Sequence, residues 1–398
     1  MNLNNDNEYI TCKCHIFLKI FTQLTKIIIL LILIIHLFYS IIYNKKSNNN
    51  ESNIYKYKST SKSLNNQNFI NFQNNYSIIK NDNSNFFFLY KQGELKQCKN
   101  YGIFIYNYPF IKPKAKLGNI GDYIQSLAAL QYLPKNCIPV FVDRDDIENY
   151  NSSNSIIIIM NGWNRIKKGN RRISDKIYPI YVSYHINNIK YIDDVTINNF
   201  KKYQPIGCRD IFTKIALENK GINAYFSSCL TTTLDIGFSI KEDERTNEII
   251  FIDYRFGRFP KADKYIKSLN SYNFNKVIHT KHMFNINYSH IDRFRLAKKL
   301  LERYSRAKLV ISTRIHGALP CLALKTPVIF VNKKYDKRFP GLYELLNTVG
   351  INYKGEFRIN VKLNNNNLVV NPKKYLNFAN RLKERIKAII QINKKYFS

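Results

Sequence analysis

The chain has 398 residues, with 62 Lys and Arg against 28 Asp and Glu for a formal charge of +34, and 45% of it is hydrophobic. That length exceeds the roughly 250 to 300 residues one core usually organises, so it allows a short anchor plus one large or two medium domains. So basic a balance ordinarily points to nucleic acid or an anionic surface. The lysines, however, are spread along an Asn-, Ile-, Tyr- and Phe-rich chain, which excludes a focused nucleic-acid patch and leaves a solvated basic surface that draws in small anions.

In chain order, a polar tail (residues 1–26) precedes the run IIILLILIIHLFYSIIY, Ile27 to Tyr43, which contains no charge and is at the short end for a membrane span. No small-residue cleavage site follows it, so an uncleaved single-pass anchor is expected over 27–43. Residues 44–95, rich in Asn, Ser and Lys with no apolar period, read as a disordered stalk. Lys13, Lys19 and Lys26 precede the run, and Lys45, Lys46, Lys56, Lys58 and Lys62 follow it. This count does not by itself place the C-terminal part in a lumen.

Beyond the stalk the pattern becomes α/β. The runs GIFIY, IPVFV, SIIIIM and YPIYVSY, then EIIFIDY, KVIHT, KLVIST and TPVIFV, are continuous in Val and Ile, as expected of parallel strands covered on both faces. The charged break Ser239–Asn247 separates a Rossmann-like domain over 96–240 from a second over 241–398. In the second, Tyr375, Phe378, Leu382, Ile386 and Ile389 or Ile390 are spaced as a closing helix. Two such domains facing each other form a cleft at the carboxyl ends of their strands, where open α/β sheets take ligands.

Three stretches converge on that cleft. In KLGNIGDYIQSLAAL, Gly118, Asn119 and Gly121 permit a tight turn with close ligand approach, and Asp122 is a candidate cap for the following helix. In PIGCRDIFTKIAL, Arg209 and Asp210 occupy a strand-to-helix turn, with Ile211, Ile215 and Leu217 expected to face the core. In STRIHGALPCLALKTP, Pro320 is tolerated only near a helix start, so the helix is expected to begin near Gly317 with Arg314 and His316 in the turn before it. An arginine offers a planar fork for phosphate or carboxylate, and a histidine offers a proton near neutral pH. His279, at the end of KVIHT, is a further candidate on the cleft side. The seven cysteines show no paired CxxC spacing, so no metal site is expected and the redox compartment stays open. Sequons begin at Asn50, Asn75, Asn151 and Asn287.

The motifs GNIGDYIQ, GCRDIFTKIALENKGINAYFSSCL and AKLVISTRIHGALPCLALKTPVIFV, followed by RFPGL, resemble the polysaccharide pyruvyl transferase family over roughly Tyr101 to Leu346. The resemblance implies two Rossmann-like domains facing a cleft in a GT-B-like arrangement. It also implies transfer of a pyruvyl group from phosphoenolpyruvate to a sugar as a ketal, with no cofactor. Arg209 and Arg314 then become donor ligands and His316 the general acid. Asp122 would orient the hydroxyls of a glycan acceptor, galactose-containing glycans among the candidates. The anchor, stalk and catalytic domain together resemble membrane enzymes whose catalytic part lies in the Golgi or endoplasmic reticulum lumen. The chain departs from the family pattern at Lys325, where glycine is expected before Thr-Pro, and in the Asn-rich insertion NVKLNNNNLVVN. The alternatives are a sugar-nucleotide-dependent glycosyltransferase of GT-B type, which would need an acidic ribose ligand late in the chain, and an inactive membrane-tethered glycan-binding protein.

Overall fold

The computed structural model describes residues 97–108, 116–134, 137–164, 173–235, 240 and 244–397. The expected anchor (27–43) and the stalk up to residue 95 lie outside the described residues. Among those described, no helix is long and apolar enough to cross a membrane. The first half runs β1 (Gln97–Ile105), β2 (Leu117–Asn119), α1 (Ile120–Leu130), β3 (Ile138–Asp143), β4 (Ile156–Asn164), β5 (Ile177–Ile186), α2 (Asp194–Lys202), β6 (Ile206–Cys208), α3 (Ile211–Glu218) and β7 (Ala224–Phe226). The second runs β8 (Ile249–Ile252), α4 (Pro260–Lys267), β9 (Val277–Thr280), β10 (Met283–Asn285), α5 (His290–Arg306), β11 (Leu309–Ser312), α6 (Ile315–Ala323), β12 (Val328–Asn332), β13 (Asn347–Ile351), β14 (Phe357–Asn360) and α7 (Tyr375–Phe397).

The first sheet has the order β3-β1-β4-β5-β6-β7 and is parallel throughout. The second has the order β14-β13-β12-β11-β8-β9, parallel except for β14. In both, the second strand of the sheet lies to one side of the first and the third to the other. The topology therefore reverses between β1 and β4 and again between β8 and β11, which opens a crevice at the carboxyl ends of those strands. The Val/Ile runs behave as expected: Ile156 to Ile159 of β4 and Ile249 to Ile252 of β8 are buried on both faces. This is a mixed α/β fold with Rossmann-like parallel sheets.

The two halves share one apolar core that runs from Ile103 through Leu301 to Ile390, and a smaller core lies on the far face of the second sheet. Short polar stitches fasten the halves together. Strand β2 pairs antiparallel with β10, the Ile120 N–H donates to the His282 carbonyl at 2.9 Å, and the Ile211 N–H donates to the Pro340 carbonyl at 3.0 Å. Arg293 of α5 donates to the Tyr106 carbonyl at 2.9 Å and to the Tyr123 hydroxyl at 2.8 Å. Helix α7 returns to the first half, where Phe378 meets Phe226 edge-on at 5.1 Å and the Arg385 guanidinium lies 4.5 Å over the Tyr225 ring. Gly341, at φ +87°, lets the chain after β12 turn against the first half, where a Cβ would stand 2.7 Å from the Phe226 ring. So stitched, the crevice is built into the fold before any ligand arrives.

Helix α6 ends in a Schellman motif, with the Thr326 N–H on the Cys321 carbonyl at 2.8 Å and the Lys325 N–H on the Leu322 carbonyl at 3.0 Å. Lys325 takes the left-handed position at φ +57°, which explains why glycine is the residue expected there. A left-handed non-glycine residue costs roughly 1–2 kcal/mol, and glycine's extra chain entropy offsets about half of that. Lys325→Gly is therefore expected to raise the melting temperature, by about 0.5 to 1 kcal/mol of stability, as read by thermal unfolding; an unchanged or lower value would contradict the strain argument. The structure also pairs Cys98 with Cys137 in a disulfide, joining β1 to the approach to β3, a link the cysteine spacing left open.

Candidate active site

A cleft of about 600 Å³ lies between the carboxyl ends of the two sheets, within the usual range for small-molecule sites. Arg209 reaches it from the first half and Arg314 and His316 from the second; Asn119, Asp122, Arg144, Trp163, His282, Lys333, Lys334 and Arg338 also line it.

Strand β11 delivers Arg314 and His316. Helix α6 begins at Ile315, two residues earlier than the proline implied, so Arg314 is its N-cap and His316 lies in its first turn. Pro320 sits inside this helix and cannot donate to the His316 carbonyl, the bond an ordinary residue there would make. Across the reversal between β8 and β11, Arg314 Nε donates to Asp253 Oδ2 at 2.6 Å. Asp253, itself in the left-handed region at φ +51°, thereby holds the guanidinium at the crevice. The terminal nitrogens of Arg314, a side chain 42% exposed, have no partner among the described residues. His316 is only 8% exposed, and its Nε2 is buried without a hydrogen-bond partner. Burial first, then the Arg209 charge, His282 and Arg338, pull its pKa well below the ordinary value. The imidazole is thus neutral at physiological pH in the free protein.

Arg209 sits at the end of β6. It is not the exposed partner of Asp210: it is 2% exposed, its Nε has no hydrogen-bond partner, and Asp210 Oδ2 lies at the 4.0 Å limit of an ion pair. Asp210 is occupied elsewhere, capping α3 through the Thr213 N–H at 2.9 Å and holding His185 Nδ1 at 2.6 Å. Burial and the Arg209 charge depress the His185 pKa. Of the three residues expected to face the core from α3, Leu217 is buried, while Ile215 is 49% exposed because the helix presents Thr213, Ala216 and Leu217 instead.

The glycine turn does a different job from the one its spacing implied. Asn119, not Asp122, caps α1, accepting from the Gly121 N–H at 3.1 Å. Gly118 lies under aromatic rings, where a Cβ would stand 2.6 Å from Tyr108. At Gly121 a Cβ would come within 3.0 Å of His316 Cβ and 3.2 Å of its Nδ1, so the glycine makes room for the imidazole. Gly121→Ala is therefore expected to lower turnover about tenfold or more by displacing that ring, while the melting temperature holds nearly constant; full activity would show that the ring's seat is not critical. Asp122 lines the cleft and accepts from the Tyr108 hydroxyl at 2.8 Å. Burial raises its pKa, while Arg144 and the Tyr108 hydrogen bond work against the rise.

The structure places His279 elsewhere. It pairs in register with Phe251 of β8, its ring meets that phenyl edge-on at 5.5 Å, and it is absent from the cleft wall. Alternate residues of a strand face opposite sides, and Phe251 belongs to the far-face core. The neighbouring His282 lines the cleft instead, wholly buried, with its pKa lowered to about 4 by burial and the Arg314 charge against an opposing pull from Asp253. Arg144 and Trp163 belong to no motif of the sequence, yet they line the cleft too: the buried guanidinium bonds Asp145 at 2.9 Å and lies 4.6 Å over Tyr106 and 5.1 Å over Trp163. Arg338, within the quoted RFPGL stretch, is held by Asp336 at 2.9 Å. Among the described residues no group of three or more His, Cys, Asp and Glu is arranged to hold a metal ion.

Chemically, the cleft joins several fixed cations, a histidine poised to gain a proton when negative charge enters, and a desolvated carboxylate on the opposite wall. Among solved structures the chain is similar to a functionally uncharacterized protein from Klebsiella pneumoniae, with 19% identity, coverage of 63% of this chain and 93% of that one, and a TM-score of 0.37. No curated protein matches the chain. The sequence model described as Polysaccharide pyruvyl transferase matches residues 119–335, more than half of the chain and the span that holds Asn119, Asp122, Arg209, Arg314 and His316. The chain belongs to the polysaccharide pyruvyl transferase family and is a transferase.

Proposed function

We propose that the donor is phosphoenolpyruvate and that His316 protonates it. The observation that carries this reading is that Arg209 and Arg314, from opposite halves, share one cleft with His316, and that Arg209 Nε is buried there without a partner. Buried polar atoms are nearly always satisfied, so such atoms in a cleft wall indicate a ligand. A donor with a phosphate at one end and a carboxylate at the other suits two separate guanidinium groups.

In the reaction, the His316 imidazolium gives its proton to the enol methylene, forming a C–H bond and leaving an oxocarbenium-like C2. One acceptor hydroxyl attacks C2, and its proton passes to Asp122. A second hydroxyl of the same sugar attacks as the C2–O bond to phosphate breaks. Two O–H bonds, the C=C π bond and the C2–O bond to phosphate are lost, while two C–O bonds, one C–H bond and the O–H bond of hydrogen phosphate form. The two hydroxyl protons are balanced by the new methyl group and hydrogen phosphate, so the acid and base return to their starting states. Trp163, the only tryptophan of the chain, lines the same cleft as Asp122 and offers the acceptor sugar an apolar platform.

Because the depressed His316 pKa must rise to make an acid, donor binding should take up a proton near neutral pH. The sign follows from the charges: the bound anions oppose Arg209 and Arg338 and stabilise the imidazolium. Calorimetric titration with phosphoenolpyruvate in buffers of different ionisation enthalpy should give an uptake of about one proton that disappears in His316→Ala. Binding should weaken as pH rises. Equal uptake in the variant would remove His316 from this role.

The catalytic part is placed, on this reading, in a secretory lumen behind an anchor at 27–43. The Cys98–Cys137 disulfide supports an oxidising compartment, and Asn151 and Asn287 begin sequons on the exposed surface. A glycosidase-sensitive mass shift that Asn151→Gln and Asn287→Gln together reduce would agree. Protease access to the domain in sealed microsomes would refute it.

A further inference from the structure

His282 is fastened from both sides of the cleft. Its carbonyl accepts the first N–H of α1 at 2.9 Å, and its own N–H reaches Asp253 Oδ2, the atom that also holds Arg314, at 3.4 Å. The ring is wholly buried and stacks on Tyr304 at 6.1 Å and 12°, with Nε2 3.0 Å from the phenol oxygen. Its other nitrogen, Nδ1, is buried without a partner, and so is Nε2 of His316. Both rings line the same cleft, close enough that a charge on His282 lowers the proton affinity of His316. Two neighbouring imidazoles thus each keep one orphaned ring nitrogen in a place where buried polar atoms are rarely left unpaired.

We propose that His282 is a positioning residue for the acid: its Nδ1 bonds His316 Nε2 when the donor fills the cleft, turning His316 Nδ1 towards the reacting carbon. Catalytic hydrogen bonds are often long in free enzymes and tighten in the complex. The Tyr304 hydroxyl can either donate to His282 Nε2 or accept from it. His282 can therefore stay neutral in one tautomer, its Nδ1 lone pair accepting from His316 Nε2–H before and after His316 Nδ1 gives up its proton, while its own Nε2–H donates to the Tyr304 hydroxyl. The role rests on the proposed acid function of His316.

The test compares three variants of the full chain. His282→Phe keeps the ring volume and the stack on Tyr304 but has no nitrogen. His282→Asn places an amide near Nδ1, and His282→Gln places one near Nε2. Turnover should fall about 10- to 100-fold in the Phe and Gln variants and recover most of the way in the Asn variant. Calorimetric affinity for phosphoenolpyruvate should change less than turnover does, and the limb of the turnover profile that titrates the acid should move. Equal losses in all three, or a loss confined to donor affinity, would overturn the assignment. Failure of the wild-type protein to use phosphoenolpyruvate would instead strike the proposed function. The pairing would then be read from imidazole nitrogen resonances with inorganic phosphate bound, where a His316 Nε2 shift common to wild type and His282→Phe would overturn it.

Discussion

Replacing His316 by Ala is expected to cut turnover about 10²- to 10⁴-fold, the usual contribution of a positioned general acid. The loss should be specific to chemistry. The ring lies between the first turn of α6 and Gly121 and makes no hydrogen bond through Nε2, so its removal leaves no buried partner stranded. The donor-induced rise in melting temperature should survive, because Arg209 and Arg314 remain. His316→Asn should be nearly as inactive, since an amide cannot deliver a proton. Donor affinity and turnover falling in equal measure would mean that the residue holds the ligand instead of protonating it.

Arg209→Ala should be the most damaging substitution for donor binding. Truncating one partner of a buried charge pair costs about 2–5 kcal/mol, or roughly 30- to several-thousand-fold in affinity. Arg209→Lys should recover little, because an ammonium lacks the planar fork and its shorter reach meets a wall fixed by β6 and the α3 cap. The free protein tells a different story. Arg209 is a buried cation without a hydrogen bond at Nε, so the Ala variant should melt no lower than wild type. Phosphoenolpyruvate should then no longer raise its melting temperature. A large drop in the stability of the free variant would recast Arg209 as a structural residue.

What the sequence disclosed and what it hid divide along physical lines. The run SIIIIM could be read as a buried parallel strand because both faces of β4 are covered, so no polar residue interrupts it. Strands β2, β6 and β7 have three residues each and owe their existence to a neighbour already in place, which no local pattern records. The cations were harder still. Arg314 and His316 stood out because they interrupt an apolar strand-to-helix run, while Arg338 is one more cation in a lysine-rich stretch and His282 lies two residues beyond the end of a lysine-flanked strand. His279 was the more conspicuous of the two histidines, yet strand alternation turns it to the far face beside Phe251. That alternation was available in the sequence: Ile278 and His279 cannot both face the cleft. The depth of Arg209 was not available, because it depends on the RFPGL turn of the second half, whose Pro340 carbonyl receives the Ile211 N–H.

The most direct test of the account is to run the transfer in deuterium oxide, with phosphoenolpyruvate and a β-galactoside acceptor, and to analyse the product by mass spectrometry and proton NMR. The account predicts a ketal whose methyl group carries a single deuterium, phosphate released in equal amount, and neither product from His316→Ala. Ketal formed undiminished by His316→Ala, or phosphate released from phosphoenolpyruvate with no ketal, would contradict it.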